Sequence, residues 1–276
     1  MDHVSREFET REGQTLVALD DFTLDVPAGT FLTIVGPSGC GKSTLLNLVS
    51  GLMPASGGSL RYKGRVREGV DTSIGYVTQR DNLLPWRTLL GNVELALEVQ
   101  GLPRAERQDR ARQWIARVGL AGFERRYPDE LSGGMRQRAN IARTLIHDPD
   151  LILMDEPFGP LDALTRLSLQ AELLQLWNQD RKTVVFITHD LVEAIALADR
   201  TVVMSARPGR IRLVLDVPLP RPRDVYRIHS EPAFAALYDQ VWTAITAETT
   251  ISGEGGPHGP APERLKDLAV ELNVST

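Results

Sequence analysis

The spacing of apolar positions switches repeatedly along the chain. Thr15 to Leu19 and Phe22 to Val26 alternate as strands do, and Pro27-Ala28-Gly29 reads as the turn after them. Phe31-Leu32-Thr33-Ile34-Val35 is a short, partly β-branched apolar run, the pattern of a buried strand. Ser43 to Ser50 places Leu45, Leu46, Leu48 and Val49 at helical spacing and stops at Gly51. The Gly/Pro/Ser cluster from Pro54 to Ser59 predicts a turn before short strands near Leu60 to Val66 and Ile74 to Thr78.

The pattern then changes. Residues 88–146 hold no β-branched run and are rich in Ala, Leu, Arg, Glu and Gln. Asn92 to Gln100 predicts one helix. Pro103 opens a second, running to about Val118 with Ala111, Trp114, Ile115 and Val118 on one face. Gly133 to Ile146 predicts a third. Strands return at Leu151 to Met154, Thr183 to Ile187 and Thr201 to Met204, with helices predicted at Leu164 to Trp177 and Leu191 to Ala198. Alternating strands and helices argue an α/β fold with a mainly parallel sheet, interrupted by a helical insertion. Ser252 to Glu263 reads as a Gly/Pro linker, and Leu265, Leu268, Ala269 and Leu272 beyond it share a helical face.

Composition narrows the classes. The 276 residues are 42% hydrophobic and 24% charged, ordinary values for a globular chain. Length corresponds to about 1.8 average domains. Thirty-one Lys and Arg against 36 Asp and Glu give a net charge of −5, which disfavours a general nucleic-acid binder. The Arg-rich stretch 104–117 reads as a solvated helix face. A single cysteine excludes a disulfide scaffold. No run approaches the roughly 20 apolar residues of a membrane span. Met-Asp-His-Val-Ser-Arg-Glu lacks the basic and apolar regions of a secretory leader, so a cytosolic chain is expected. His3, His147, His229 and His258 have no metal-ligand spacing, and Trp114 and Trp177 read as packing residues.

Three motifs carry chemistry. Gly36-Pro37-Ser38-Gly39-Cys40-Gly41-Lys42-Ser43 matches G-x-x-x-x-G-K-[ST] between the predicted strand and the predicted helix, the context a phosphate loop requires. Its amides would form an anion nest at a helix N-terminus. Lys42 would reach the β- and γ-phosphates, and the Ser43 hydroxyl would bind Mg²⁺. Cys40 is a thiol at a helix start, a position that can lower its pKa, and it is expected to be exposed when the site is empty and shielded when ATP is bound. Leu151 to Glu156 is an apolar strand ending in two carboxylates, with Asp155 suited to holding Mg²⁺ and Glu156 to activating a water. Leu131-Ser132-Gly133-Gly134-Met135-Arg136-Gln137 is a second Gly turn opening a helix. Ser132 reads there as an N-cap, and free amides could again face an anion, most simply the nucleotide of another subunit.

Together these segments resemble the ABC-type ATPases. Residues 131–137 resemble the family's signature motif, and Gly36 to Thr44 and Leu151 to Pro157 resemble its Walker A and B motifs. The resemblance implies a P-loop NTPase: a RecA-like α/β core with an antiparallel β subdomain and an α-helical insertion subdomain. On that pattern the ATPase domain is 1–245, with core 1–87 and 147–245 and helical subdomain 88–146. Residues 246–276 would be linker and tail. By the same resemblance Gln79 is the Q-loop glutamine, a Mg²⁺ ligand and contact toward the membrane partner. Asp162 belongs to the D-loop, His189 is the switch histidine at the γ-phosphate, and Phe8 matches the aromatic that stacks on adenine. Gly159-Pro160 departs from the Ser-Ala common in the D-loop.

The resemblance further implies an ATPase using ATP and Mg²⁺. The catalytic group would be Glu156, His189, Lys42 and Gln79. The nucleotide would be held by Phe8, Gly36, Pro37, Ser38, Gly39, Cys40, Gly41, Lys42, Ser43, Thr44, Gln137 and Asp162, with Ser132, Gly133 and Gly134 of a second copy, and the metal by Ser43, Gln79 and Asp155. Asp81 to Trp86 resembles importer ATPases, and Ser205-Ala206-Arg207-Pro208-Gly209-Arg210-Ile211 is similar to the nitrate, sulfonate and taurine import group. The expected partners are a second ATPase copy, membrane permease subunits and, through them, an extracytoplasmic solute-binding protein, with no nucleic acid. The expected place is the cytoplasmic face of the inner membrane. An exporter-type ATPase and a soluble ATPase of DNA maintenance are the alternatives.

Overall fold

The computed structural model describes residues 1–252. The first stretch of chain holds β1 (Asp2–Glu9), β2 (Thr15–Phe22), β3 (Phe31–Val35), α1 (Lys42–Ser50), β4 (Gly57–Ser59), β5 (Arg61–Tyr62) and β6 (Arg65–Val66). The middle holds β7 (Ile74–Val77), α2 (Leu89–Val93), α3 (Leu95–Val99), α4 (Arg104–Arg117), α5 (Gly133–Leu145), β8 (Leu151–Asp155) and α6 (Ala163–Asp180). The last holds β9 (Thr183–Ile187), α7 (Leu191–Leu197), β10 (Arg200–Met204), β11 (Ile211–Asp216) and α8 (Pro232–Ser252). The chain divides into two compact units, one made of Met1–Asp71 with the chain from Thr183 onward, the other of Thr72–Lys182. The predicted tail helix around Leu265 to Leu272 lies outside the described residues.

In the first unit β3 pairs in parallel with both β9 and β10, and β11 adds to β10 antiparallel. Strands flanked on both sides and covered on both faces have no polar face, which is why all five residues of β3 are buried. Its one polar residue is satisfied: Thr33 Oγ1 lies 2.9 Å from the Thr201 hydroxyl and donates to the Ala194 carbonyl at 3.1 Å. A separate antiparallel sheet runs β2-β1-β4. β2 continues through Asp20 and Asp21, where the sequence predicts a break and a new strand to Val26. A register shift near Val4 and a left-handed Asp21 (φ 52°) absorb the irregularity, and Ser5 Oγ accepts the Asp21 N–H at 3.1 Å. Against β3 and β10, α7 and α8 build a core of Val35, Ile195, Val203, Phe234, Tyr238 and Val241.

The second unit pairs β7 and β8 in parallel. Its helices pack Leu89, Val93, Leu97, Ile115, Leu131 and Ala139 into one core. The helix predicted over Asn92 to Gln100 is two short helices that begin earlier, at Leu89. Thr88 caps α2 by accepting the Gly91 N–H at 3.3 Å, and the chain opens at Glu94 (ψ −10°). The Arg-rich α4 carries ion pairs along its surface, among them Arg110–Glu106 and Arg112–Asp109, as a solvated face should.

One half-buried cation closes the end of α7. Arg223 donates to the carbonyls of Ile195, Ala196, Ala198, Val217 and Leu219 at 2.5–3.3 Å. These include carbonyls that the last turn of a helix cannot satisfy itself. Burial, reinforced by the charge of Arg221, lowers its pKa to about 10, so it remains a cation at neutral pH. Arg223→Met removes the donors while keeping the volume. The expected cost is about 3–4 kcal/mol in urea unfolding. A change below about 1 kcal/mol would show that these carbonyls do not depend on it.

Candidate nucleotide-binding site

The phosphate loop links β3 to α1 in the first unit. Gly39 and Gly41 take left-handed φ values of 73° and 99°, and Gly41 stands at the N-cap with no side chain to occupy the helix end. Ser38, Gly39 and Ser43 are exposed, while Gly36, Pro37, Cys40 and Lys42 are buried. The Lys42 ammonium donates to the carbonyls of Gly36 (2.8 Å) and Pro37 (2.9 Å), which holds it against the start of the loop. Thr44 is half-buried in the first turn of α1.

Cys40 corrects an expectation. The thiol is 1% exposed. Burial pushes its pKa above the ordinary thiol value, against the opposing pull of the Lys42 charge. Position at a helix start favours a thiolate only where the charge is solvated or fully compensated; here the loop folds over the sulfur, and the cost of burial outweighs the nearby Lys42 ammonium, 3.9 Å away.

His189 follows β9 in the same unit and is half-buried. Its neighbours fix its backbone. Thr188 Oγ1 donates to the Glu193 carboxylate and accepts the Asp190 N–H. Asp190 in turn caps α7 through the Val192 and Glu193 N–H groups at 2.9 and 3.1 Å. Phe8 lies on β1, half-buried, with the Arg6 guanidinium 4.7 Å from its ring centroid.

The second unit carries the other residues. Gln79 is exposed directly after β7, in a turn held by the Thr78 hydroxyl, which donates to the Arg80 carbonyl and accepts from the Asn82 amide. Asp155 ends β8, and Glu156 follows in the left-handed region at φ 44°, a conformation that costs an L-residue about 1 kcal/mol or more. Burial, and then the negative charge of Asp155, push the Tyr76 phenol well above its ordinary pKa. Ser132 is the N-cap of α5 and accepts the Met135 N–H at 3.3 Å. Ser132 and Gly133 are exposed. Gly134 meets the start of α6 so closely that a Cβ there would lie 2.7 Å from the Thr165 methyl. This brings the signature turn beside Asp162, which caps α6 by accepting the Thr165 N–H at 3.0 Å; that bond lowers its pKa. Gln137 does not join the exposed turn: it is buried on α5, and its Nε2 has no hydrogen-bond partner among the described residues.

Sequence reasoning missed one contact. Arg207 and Gly209, which enter the sequence reading only through a subgroup resemblance, touch the phosphate loop directly: the Arg207 Nε donates to the Gly39 carbonyl at 2.7 Å. The dipeptide Pro208-Gly209 was the available signal for a tight turn.

This parallel α/β fold with its phosphate loop is that of a P-loop NTPase. The sequence pattern of the ABC transporter family matches residues 19–159. An uncharacterised ABC transporter ATP-binding protein of Methanocaldococcus jannaschii is 48% identical over 81% of this chain and 84% of its own length. Taurine import ATP-binding proteins TauB of Rhizobium johnstonii and Escherichia coli K12 are 44% and 42% identical, over 87% and 83% of this chain and 94% and 91% of theirs. A dimeric ATP-binding cassette solved in a post-hydrolysis state with ADP and Pi superposes with a TM-score of 0.71 at 32% identity, over 79% of this chain and 98% of that one. The chain belongs to the ABC transporter family. It is an ATP-binding subunit of the ABC type, and its activity is ATP hydrolysis.

Cys40 is the chain's only cysteine, so its reactivity can be read directly. The expected rate of modification by a disulfide reagent at pH 8 is at least about tenfold below that of a free thiol. A rate equal to that of glutathione would contradict the buried geometry.

Proposed function

We propose that this chain is the ATPase subunit of an importer for a small anion, in the class of nitrate, sulfonates or taurine. The observation that carries this reading is the likeness to taurine import ATP-binding proteins over most of both chains. Among the described residues no helix is long and apolar enough to cross a membrane. In the proposal the chain acts on the cytoplasmic face of the inner membrane, docked to permease subunits that receive solute from an extracytoplasmic binding protein. Gln79 and the segment after it would meet the permease.

In this reading the amides of Gly36 to Thr44 hold the phosphates, Lys42 neutralises charge on the γ-phosphate, and Phe8 stacks on adenine. His189 contacts the γ-phosphate. Glu156 orients the attacking water and takes its proton as the bond to the γ-phosphorus forms and ADP departs. Ser43, Gln79 and Asp155 would hold Mg²⁺. They are a hydroxyl, an amide and a carboxylate, the hard oxygen donors that this ion takes, and Ser43 and Gln79 are exposed. The ion would supply charge neutralisation at the phosphates.

Two copies would work head to tail. The exposed Ser132-Gly133 turn, with Gly134 and the neighbouring Asp162, would close on the nucleotide of the other copy. The dimeric form of the cassette that superposes on this chain supports that arrangement. Closure by ATP and reopening by hydrolysis would be a population shift biased by the γ-phosphate.

Glu156→Gln is expected to keep ATP binding, accumulate a dimer and lose at least about 100-fold in ATPase rate. The same change in the host chromosome is expected to stop uptake of labelled taurine or a related sulfonate. Normal hydrolysis refutes the base assignment, and unchanged uptake of all such anions refutes the import reading. Ser132→Arg is expected to bind ATP normally as a monomer without turning it over. Wild-type turnover in that variant would sink the shared site.

A further inference from the structure

The segment between β10 and β11 does more than connect two strands. Gly209 pairs with the end of β2: its N–H donates to the Ala18 carbonyl at 3.0 Å, and its carbonyl accepts the Asp20 N–H at 3.1 Å. Arg210 forms an ion pair with Asp20 on the same strand. Anchored there, the segment presses on two consecutive peptide groups of the phosphate loop. The Arg207 Nε donates to the Gly39 carbonyl at 2.7 Å. The Gly209 Cα lies so close to the Cys40 carbonyl that a Cβ would stand 2.1 Å from that oxygen.

In a trans peptide the carbonyl and the next N–H lie in one rigid plane and point in opposite directions. Fixing the Gly39 carbonyl therefore aims the Cys40 N–H, and fixing the Cys40 carbonyl aims the Gly41 N–H. A cation donating to the carbonyl also polarises that amide and makes its N–H a stronger donor. The Cys40 N–H meets the Pro37 carbonyl only at 3.4 Å, a long bond that an anion can readily replace. Arg207 is exposed and has no carboxylate partner among the described residues, so its charge is not neutralised locally.

We propose that Arg207 is a positioning residue for nucleotide binding, which acts through the Gly39 peptide and, with Gly209 as its close-contact partner, presets the phosphate loop for an anion. The inference rests on the reading of Gly36 to Thr44 as the phosphate site. Arg207 touches no reacting atom, so its effect falls on ATP affinity and leaves the chemical step alone.

The test uses the full chain and measures Mg-ATP binding by titration, steady-state ATPase and thermal unfolding. Arg207→Ala is expected to raise the ATP Kd and KM by about five- to tenfold, with kcat within about twofold and Tm within about 2 °C. Arg207→Lys, which keeps the charge and one donor, is expected to recover at least half of that loss on a logarithmic scale. A Kd within about twofold of wild type in Arg207→Ala overturns the proposal. So does a parallel fall in Tm and affinity, which would make the residue merely structural. Lys42→Ala serves as the control for the underlying reading. If it binds Mg-ATP like wild type, the phosphate-site reading fails, whereas loss of binding there with normal binding in Arg207→Ala removes the role of Arg207 alone.

Discussion

The first unit is organised around the loop that links β3 to α1, which on the proposed reading must keep a run of backbone N–H groups available to an anion. Unpaired amides are costly, so a loop that keeps them open has to be held by its other atoms. Here the holding is done at carbonyls. Lys42 takes those of Gly36 and Pro37, Arg207 takes that of Gly39, and the Leu45 N–H of α1 takes that of Gly41. β3 delivers the loop from a position flanked on both sides by parallel strands, where all of its side chains are buried. The rigidity of that strand is the reference against which the loop keeps its shape.

The second unit uses the same physics at helix starts. Ser132, Asp162 and Thr88 each satisfy one N–H at the start of α5, α6 and α2 and leave the others to be met from outside. A clamp then ties the segment after Gln79 to α5. Arg136 donates to the Asp81 carboxylate at 2.9 Å and to the Leu131 carbonyl at 2.7 Å. Arg143 donates to the Asp81 and Asn82 carbonyls at 2.8 and 2.9 Å. The turn carrying Gln79 and the turn carrying Ser132 are thereby parts of one hydrogen-bonded assembly. Asn92 extends it, with its side chain bonded to Leu84, Arg87 and Thr88.

Much of this was legible in the chain. β3, β8, β9 and β10 are continuous apolar runs, because a strand covered on both faces has no polar side to show. α1, α4 and α5 carry caps or stop signals and helical spacing, and they fall within a residue or two of the expected bounds. β11 was missed although Ile211, Leu213, Val214 and Leu215 are apolar; its residues alternate between half-buried and exposed, so it lacks the fully buried run of the other strands. The division at Glu94 carries no Gly or Pro signal in the sequence.

The sequence by itself determined which residues are chemically suited to the site, since phosphate loops, capped helix starts and paired carboxylates are spelled out over a few consecutive positions. Only the tertiary structure decided how those residues are set. It buried Cys40, which local reasoning placed in water, and it withdrew Gln137 into the second unit. It also brought Arg207 and Gly209 onto a loop some 170 positions earlier in the chain. The physical reason is range: turn chemistry and periodicity act between neighbours, whereas burial and close backbone approach depend on which distant segment folds against them.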